Sequence, residues 1–213
     1  MKKWSRDELF LTVVRLFWFS QYIFVPFLTP HLAALGAAAS MSGVILGAYG
    51  FSQLVLRIPV SVSEDCTGRH RLFMLGGLTA LIIGSVLPML SDAPLVYLAS
   101  RTLAGVSAST WVSFTASFTN GKPNVQERMG KLMAANNLGI LISYLLGGTL
   151  YEAVGMKPLF IISAAAALIA LCLLPLCQKG GSEATHPFRI GDVLTALKNP
   201  HLLSCSFLGA QCS

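Results

Sequence analysis

Arg101 is the side chain with the sharpest chemical demand in this sequence. It stands in a run of apolar and small polar residues from about Leu95 to Phe118, about two turns or roughly 10 Å of helix from one end. A guanidinium at that depth in a membrane needs a carboxylate, a carbonyl or water beside it. It either meets such a partner inside the protein or snorkels outward with no functional role. A second charged stretch, Arg57-Ile-Pro-Val-Ser-Val-Ser-Glu-Asp-Cys-Thr-Gly-Arg-His-Arg71, gathers Glu64, Asp65, Arg69 and Arg71 within eight positions. It links apolar runs that end near Val60 and begin near Leu72, and a link of about ten residues makes the flanking helices antiparallel neighbours. Asp65 falls at the end of one helix, Arg69 and Arg71 at the start of the next, and Gly68 permits the tight turn between them. The sequence offers no nucleophile–base–orienter set and no glycine-rich phosphate loop. Cys66, Cys172, Cys177, Cys205 and Cys212 have neither CxxC nor zinc spacing. The reading is therefore a non-enzyme, with no catalytic residue, no cofactor and no metal.

The elements that must hold these charges are set by composition. The 213 residues are 54% hydrophobic and 11% charged, with a mean hydropathy of +0.67. Soluble domains carry about 25% charged residues, so the chain is all-α and crosses a bilayer several times. The net charge of +6 fits membrane loops, since no basic run with interleaved aromatics suggests nucleic acid. Six spans are expected: about Leu9–Leu32 with a kink at Pro26, Met41–Val60, Leu72–Leu90, Leu95–Phe118, Met129–Tyr151 and Pro158–Leu176. Gly43, Gly47 and Gly50 give span two a small-residue face for close helix approach.

Polar content is unequal among the spans. It runs polar, mixed, apolar and then repeats, which is the period expected of a 3+3 inverted repeat. Spans three and six are apolar enough to face lipid all round, while spans one, two, four and five must shelter polar groups. Gln21, Tyr22, Tyr49, Gln53, Trp111, Asn136 and Asn137 either line a substrate path or make interhelical hydrogen bonds. Arg15 and Arg57 lie near enough to a membrane face to snorkel.

Three motifs in chain order resemble signatures of the major facilitator superfamily of transporters. Ser61-x-x-x-Asp65-Cys66-x-Gly68-Arg69-His70-Arg71 is similar to the family's loop 2–3 motif, with Ser61 and Cys66 departing from it. Arg101-x-x-x-Gly105 resembles the span-four signature. Gly130, Gly139, Ser143-Tyr144 and Gly147-Gly148 have the spacing of the span-five antiporter signature, with Ser143-Tyr144 in place of Gly-Pro. The resemblance implies a cytoplasmic gate at Asp65, Gly68, Arg69 and Arg71, and proton coupling or substrate electrostatics at Arg101. It also implies an efflux-type packing face on span five.

Basic residues then orient the chain. Eleven of them fall on the side of the two termini and only Lys157 on the other, which puts both termini in the cytoplasm of a multi-pass cell (inner) membrane protein. Residues 1–176 read as an N-terminal six-helix bundle and 177–200 as a cytoplasmic linker with an amphipathic helix over Phe188–Leu197. Residues 201–213 read as the truncated start of a seventh span. The function expected is secondary transport of a small organic solute, proton-coupled and outward, with partners in the lipid bilayer, the solute and a second six-helix half. The alternative is an inactive or partner-binding membrane scaffold.

Overall fold

In the computed structural model, which describes residues 5–177, Ser5 starts the first helix with a capping box. The Glu8 N–H donates to Ser5 Oγ at 3.2 Å and the Ser5 N–H to the Glu8 carboxylate at 3.0 Å, which satisfies two orphan donors. The linker, amphipathic helix and seventh-span segment expected beyond Cys177 lie outside the described residues, as do the side chains of Asp65 and Cys66.

Helix α1 (Arg6–Tyr22) breaks at Ile23 and Phe24 before α2 (Val25–Ala34). Pro26 sits in the first turn of α2, and its ring excludes the helical carbonyl of Tyr22 four residues back, so the expected kink is a break. Helix α3 (Ala39–Thr67) is followed by α4 (His70–Leu90), and only Gly68 and Arg69 separate them. The link is thus two residues rather than ten, because α3 continues seven residues past Val60. Gly68 takes the left-handed conformation at φ 62° and returns its N–H to the Glu64 carbonyl at 2.8 Å.

Span four divides into α5 (Pro94–Ser109) and α6 (Trp111–Thr119) at Thr110. There the hydroxyls of Ser109 and Thr110 donate back to the carbonyls of Val106 and Ser107, at 2.6 and 2.7 Å, in competition with the helical ladder. Helices α7 (Val125–Val154) and α8 (Met156–Cys177) complete the bundle, joined by Gly155 at φ 78°. Among the described residues, five helical stretches are long and apolar enough to cross a membrane, α1 and α2 counting as one. The sixth crossing is α5 with α6, neither long enough alone.

The packing carries the internal repeat. The dominant contacts are α3 with α5, α1 with α7, α1 with α8, α4 with α5 and α4 with α8. Exchanging spans one, two and three for four, five and six turns each of these pairs into another of the set, or into itself. The helix breaks correspond as well, after 17 residues in span one and 16 in span four. A repeat visible in the sequence only as composition is therefore geometric.

Two apolar cores form. One joins Phe10, Val14, Phe17 and Trp18 of α1 to Met74 and Leu78 of α4, Phe114 and Phe118 of α6, and Leu174 of α8. The other joins Ile23, Phe24 and Leu28 to Ile45, Tyr97, Leu159 and Phe160. Between them along the helices runs a buried polar layer of Ser20, Gln21, Ser85, Ser100, Arg101 and Ser163. Ser20 Oγ donates to the Ser163 carbonyl at 2.8 Å, Ser163 Oγ returns a bond to the Ser20 carbonyl at 2.7 Å, and Ser85 Oγ meets Ser163 Oγ at 2.8 Å. Such bonds are worth about 0.6 kcal/mol each on average in a membrane, so their main effect is to fix register.

Two expectations are corrected. Spans three and six do not face lipid all round, since Met74, Leu78, Leu81 and Ser85 of α4 and Leu159, Phe160, Ser163 and Ala167 of α8 are buried. The least buried spans are α3, with Phe51, Leu54 and Ile58 each above 70%, and α7, with Leu145 at 64%. Lipid and protein interior are equally apolar, so low polarity does not distinguish them; small residues such as Gly84 and Ala167 admit close neighbours instead. The Gly43, Gly47 and Gly50 face is also not packed among the described residues, since a Cβ on any of them would meet nothing within 4 Å.

Candidate functional site

Pro94 sets the start of α5 at a position that needs no N–H donor. The helix is then clamped on two sides. Ser100 Oγ donates to the Gly84 carbonyl of α4 at 2.6 Å. On the α3 side, a Cβ at Gly105 would collide with the Tyr49 carbonyl and the Ser52 hydroxyl, and Ser52 Oγ donates across to the Thr102 carbonyl at 3.1 Å. The absent side chain at Gly105 lets the backbones touch, and that contact holds Tyr49 beside Arg101, one turn away.

Arg101 is 3% exposed. Its guanidinium carbon lies 4.6 Å from the Tyr49 ring centroid and 5.8 Å from that of Phe24. Its Nε and Nη1 are buried without a hydrogen-bond partner. Gln21 of α1 donates Nε2 to the Ala104 carbonyl at 3.1 Å and leaves its Oε1 unpartnered. The snorkelling alternative for Arg101 does not hold, because the group is enclosed.

Trp18, not singled out in the sequence, gathers other candidates into one aromatic cluster. Its ring lies 5.8 Å from Tyr22 and 5.3 Å from Trp111, and Tyr22 continues to Tyr144 at 6.0 Å. Gln53 and Asn136 are half-buried, and Asn137 is exposed on α7. Arg57 is exposed, as snorkelling requires, but Arg15 keeps a buried, unpartnered Nε. In the antiporter-like run, Gly139, Ser143 and Gly147 form the buried face of α7 against α1 and α2. Gly148 only grazes Phe27 at 4.0 Å, and Gly130 has open space around it.

At the opposite level, the stretch expected to form a gate has Asp65 in the last turn of α3, Gly68 at the turn, Arg69 exposed and Arg71 half-buried in the first turn of α4. Glu64, in the same stretch, is buried at 1% exposure. It accepts from Ser113 Oγ of α6 at 2.8 Å and contacts His70 Nδ1. Nearby chain ends are tied by Arg128, which grips Asp7 with two bonds of 2.8 and 3.0 Å and donates Nε to the Phe118 carbonyl at 2.8 Å. Sequence reading missed Glu64, His70, Ser113, Asp7 and Arg128 as a set, since partners up to 121 positions apart leave no local pattern.

The sequence matches the profile of the Major Facilitator Superfamily over residues 10–212. It is 29% identical over 207 residues to the inner membrane transport protein YajR of Escherichia coli (strain K12), covering 94% of this chain and 45% of that protein. It is also 29% identical over 140 residues to the MFS-type transporter ppzB of Metarhizium rileyi (strain RCEF 4871), covering 63% of this chain and 28% of that protein. The chain thus spans less than half the length of either relative. With a profile match over nearly its whole length and a bundle of membrane-spanning helices in repeated threes, the chain belongs to the major facilitator superfamily.

Proposed function

We propose that the chain is the N-terminal six-helix half of a secondary active transporter that moves a small organic solute by alternating access. The observation that carries this reading is Arg101, a guanidinium held in the middle of the bundle with unused donors. A buried charge without a partner is costly, and within a membrane such a residue marks a solute or ion pathway. The relatives' printed names, a transport protein and a transporter, agree with it.

The finer features follow the same reading. The apolar faces of α3 and α7 receive a second six-helix half, and the substrate cavity lies between the two. The end carrying Asp7, Glu64 and Arg128 faces the cytoplasm, on the strength of the basic residues collected there. Coupling is to protons and the direction is export, supported by the likeness of Arg101-x-x-x-Gly105 and of the Gly139–Gly148 run to family signatures. The guanidinium keeps its charge, so Arg101 acts electrostatically on a proton carried elsewhere. Asp65, Gly68, Arg69 and Arg71 gate the cytoplasmic side.

The test is solute flux in proteoliposomes holding the product of the complete reading frame, with and without an imposed pH gradient. Flux that collapses with the gradient is expected. Flux indifferent to the gradient removes proton coupling, and absence of flux for every solute class tried removes transport.

A further inference from the structure

We propose that the Arg101 site takes an anionic group, a carboxylate or comparable oxyanion, carried on a molecule with an apolar body. This deepens the transport reading and rests on it for calling that molecule the substrate. The guanidinium is enclosed at 3% exposure, and its ring neighbours Tyr49 and Phe24 accept no hydrogen bond from its Nε or Nη1. Its Nε and Nη1 are donors with nothing to donate to.

The described part of this chain holds no counter-ion at that level. Its carboxylates lie at helix ends and turns: Asp7 and Glu8 open α1, Glu64 and Asp65 close α3, and Asp92, Glu127 and Glu152 flank the later helices. Glu64 is already engaged by Ser113 and His70, and Asp92 meets Lys157 at 3.5 Å. The charges inside the spans are therefore arginines. A cationic solute would be repelled there, and a neutral one would leave charged donors desolvated and unpaired. An oxyanion accepts from a guanidinium at two points and cancels its charge.

The surroundings describe the remainder of the ligand. Trp18 contacts Tyr22 and Trp111, and Tyr22 contacts Tyr144, an aromatic cluster that suits an apolar body, and Gln21 Oε1 is an acceptor still free to orient a donor on it. The carboxylate has two conceivable sources, a solute or a side chain of the second half, and the experiment separates them.

The product of the complete reading frame in lipid nanodiscs is titrated with phenylacetate, phenethyl alcohol and phenethylammonium, which share a ring and differ in charge. Binding is followed by tryptophan fluorescence and by calorimetry. Phenylacetate is expected to bind at least about tenfold tighter than the other two. Arg101→Gln should erase that preference, and Arg101→Lys, which keeps the charge and guards against a folding failure of the first variant, should retain it at lower affinity. Equal binding of the three probes, preference for the cation, or a preference that survives Arg101→Gln overturns the proposal. A carboxylate from the second half would occupy the guanidinium and give the first of these results. Charge-selective binding without flux would leave the anion site standing and defeat transport, while flux of a cation unaffected by Arg101→Gln would do the reverse.

Discussion

Gly139 of α7 lies against the backbone of Arg15 in α1, so closely that a Cβ would stand 2.5 Å from the Arg15 carbonyl oxygen. Eight residues on, Gly147 meets the Ile23 carbonyl in the same way, at 2.6 Å. Span five therefore crosses span one backbone to backbone. The repeat-related crossing, α3 on α5, uses Gly105 against Tyr49. Both contacts adjoin the buried polar layer, so helix spacing there decides where Gln21 and Arg101 sit.

Substitution within the antiporter-like motif should accordingly divide by position. Gly139→Ala forces α7 away from α1 and is expected to destabilise by about 1–3 kcal/mol, the usual cost of overpacking. Gly130→Ala meets open space within α7 and should be neutral or stabilising by up to about 1 kcal/mol. Thermal unfolding of the two variants in detergent checks this; equal effects would mean that the motif is not a packing face.

The turn between α3 and α4 yields a second outcome. Glu64 is buried between Ser113 and His70, so removing one partner leaves a carboxylate underpaired. Ser113→Ala should cost about 1.5–3 kcal/mol, the range for a hydrogen bond to a charged group. Glu64→Gln keeps an acceptor for Ser113 and should cost less than Glu64→Ala. A stability series in which Glu64→Ala is silent would show that this contact holds nothing.

Much of this architecture is legible in the sequence, and the exceptions have physical causes. Run length and charge give the six crossings, Pro26 announces the break in span one, and Gly68 announces the turn. Arg101 stands out because burying a guanidinium is expensive wherever it occurs. The break at Thr110 is hidden, since Ser and Thr sit within membrane helices as readily as they interrupt them. The buried faces of α4 and α8 are hidden in the sequence because a leucine facing lipid and a leucine facing protein look alike. Glu64 stands beside Asp65, which the family motif highlights, and its role in tying α3 to α6 rests on a partner 49 positions away that leaves no local pattern.

A third outcome concerns the Arg128 clamp. Its side chain is 15% exposed, and its guanidinium binds both Asp7 oxygens and the Phe118 carbonyl and lies 4.2 Å from the Phe118 ring centroid. Asp7 is half exposed, which screens part of the attraction. Arg128→Ala should therefore cost about 1–2 kcal/mol, and Arg128→Lys, which loses the forked geometry, should recover only part of it. Full recovery by lysine would reduce the contact to simple charge attraction.

Flux through Arg101→Gln is the most direct measurement. The variant and wild type, each expressed from the complete reading frame, are reconstituted at equal density and compared for solute exchange, with circular dichroism and gel filtration confirming equal folding. Loss of flux by about a hundredfold or more is expected, because the substitution removes the buried charge on which the proposed solute binding rests. Undiminished flux from a properly folded Arg101→Gln protein would contradict a transport role for this arginine.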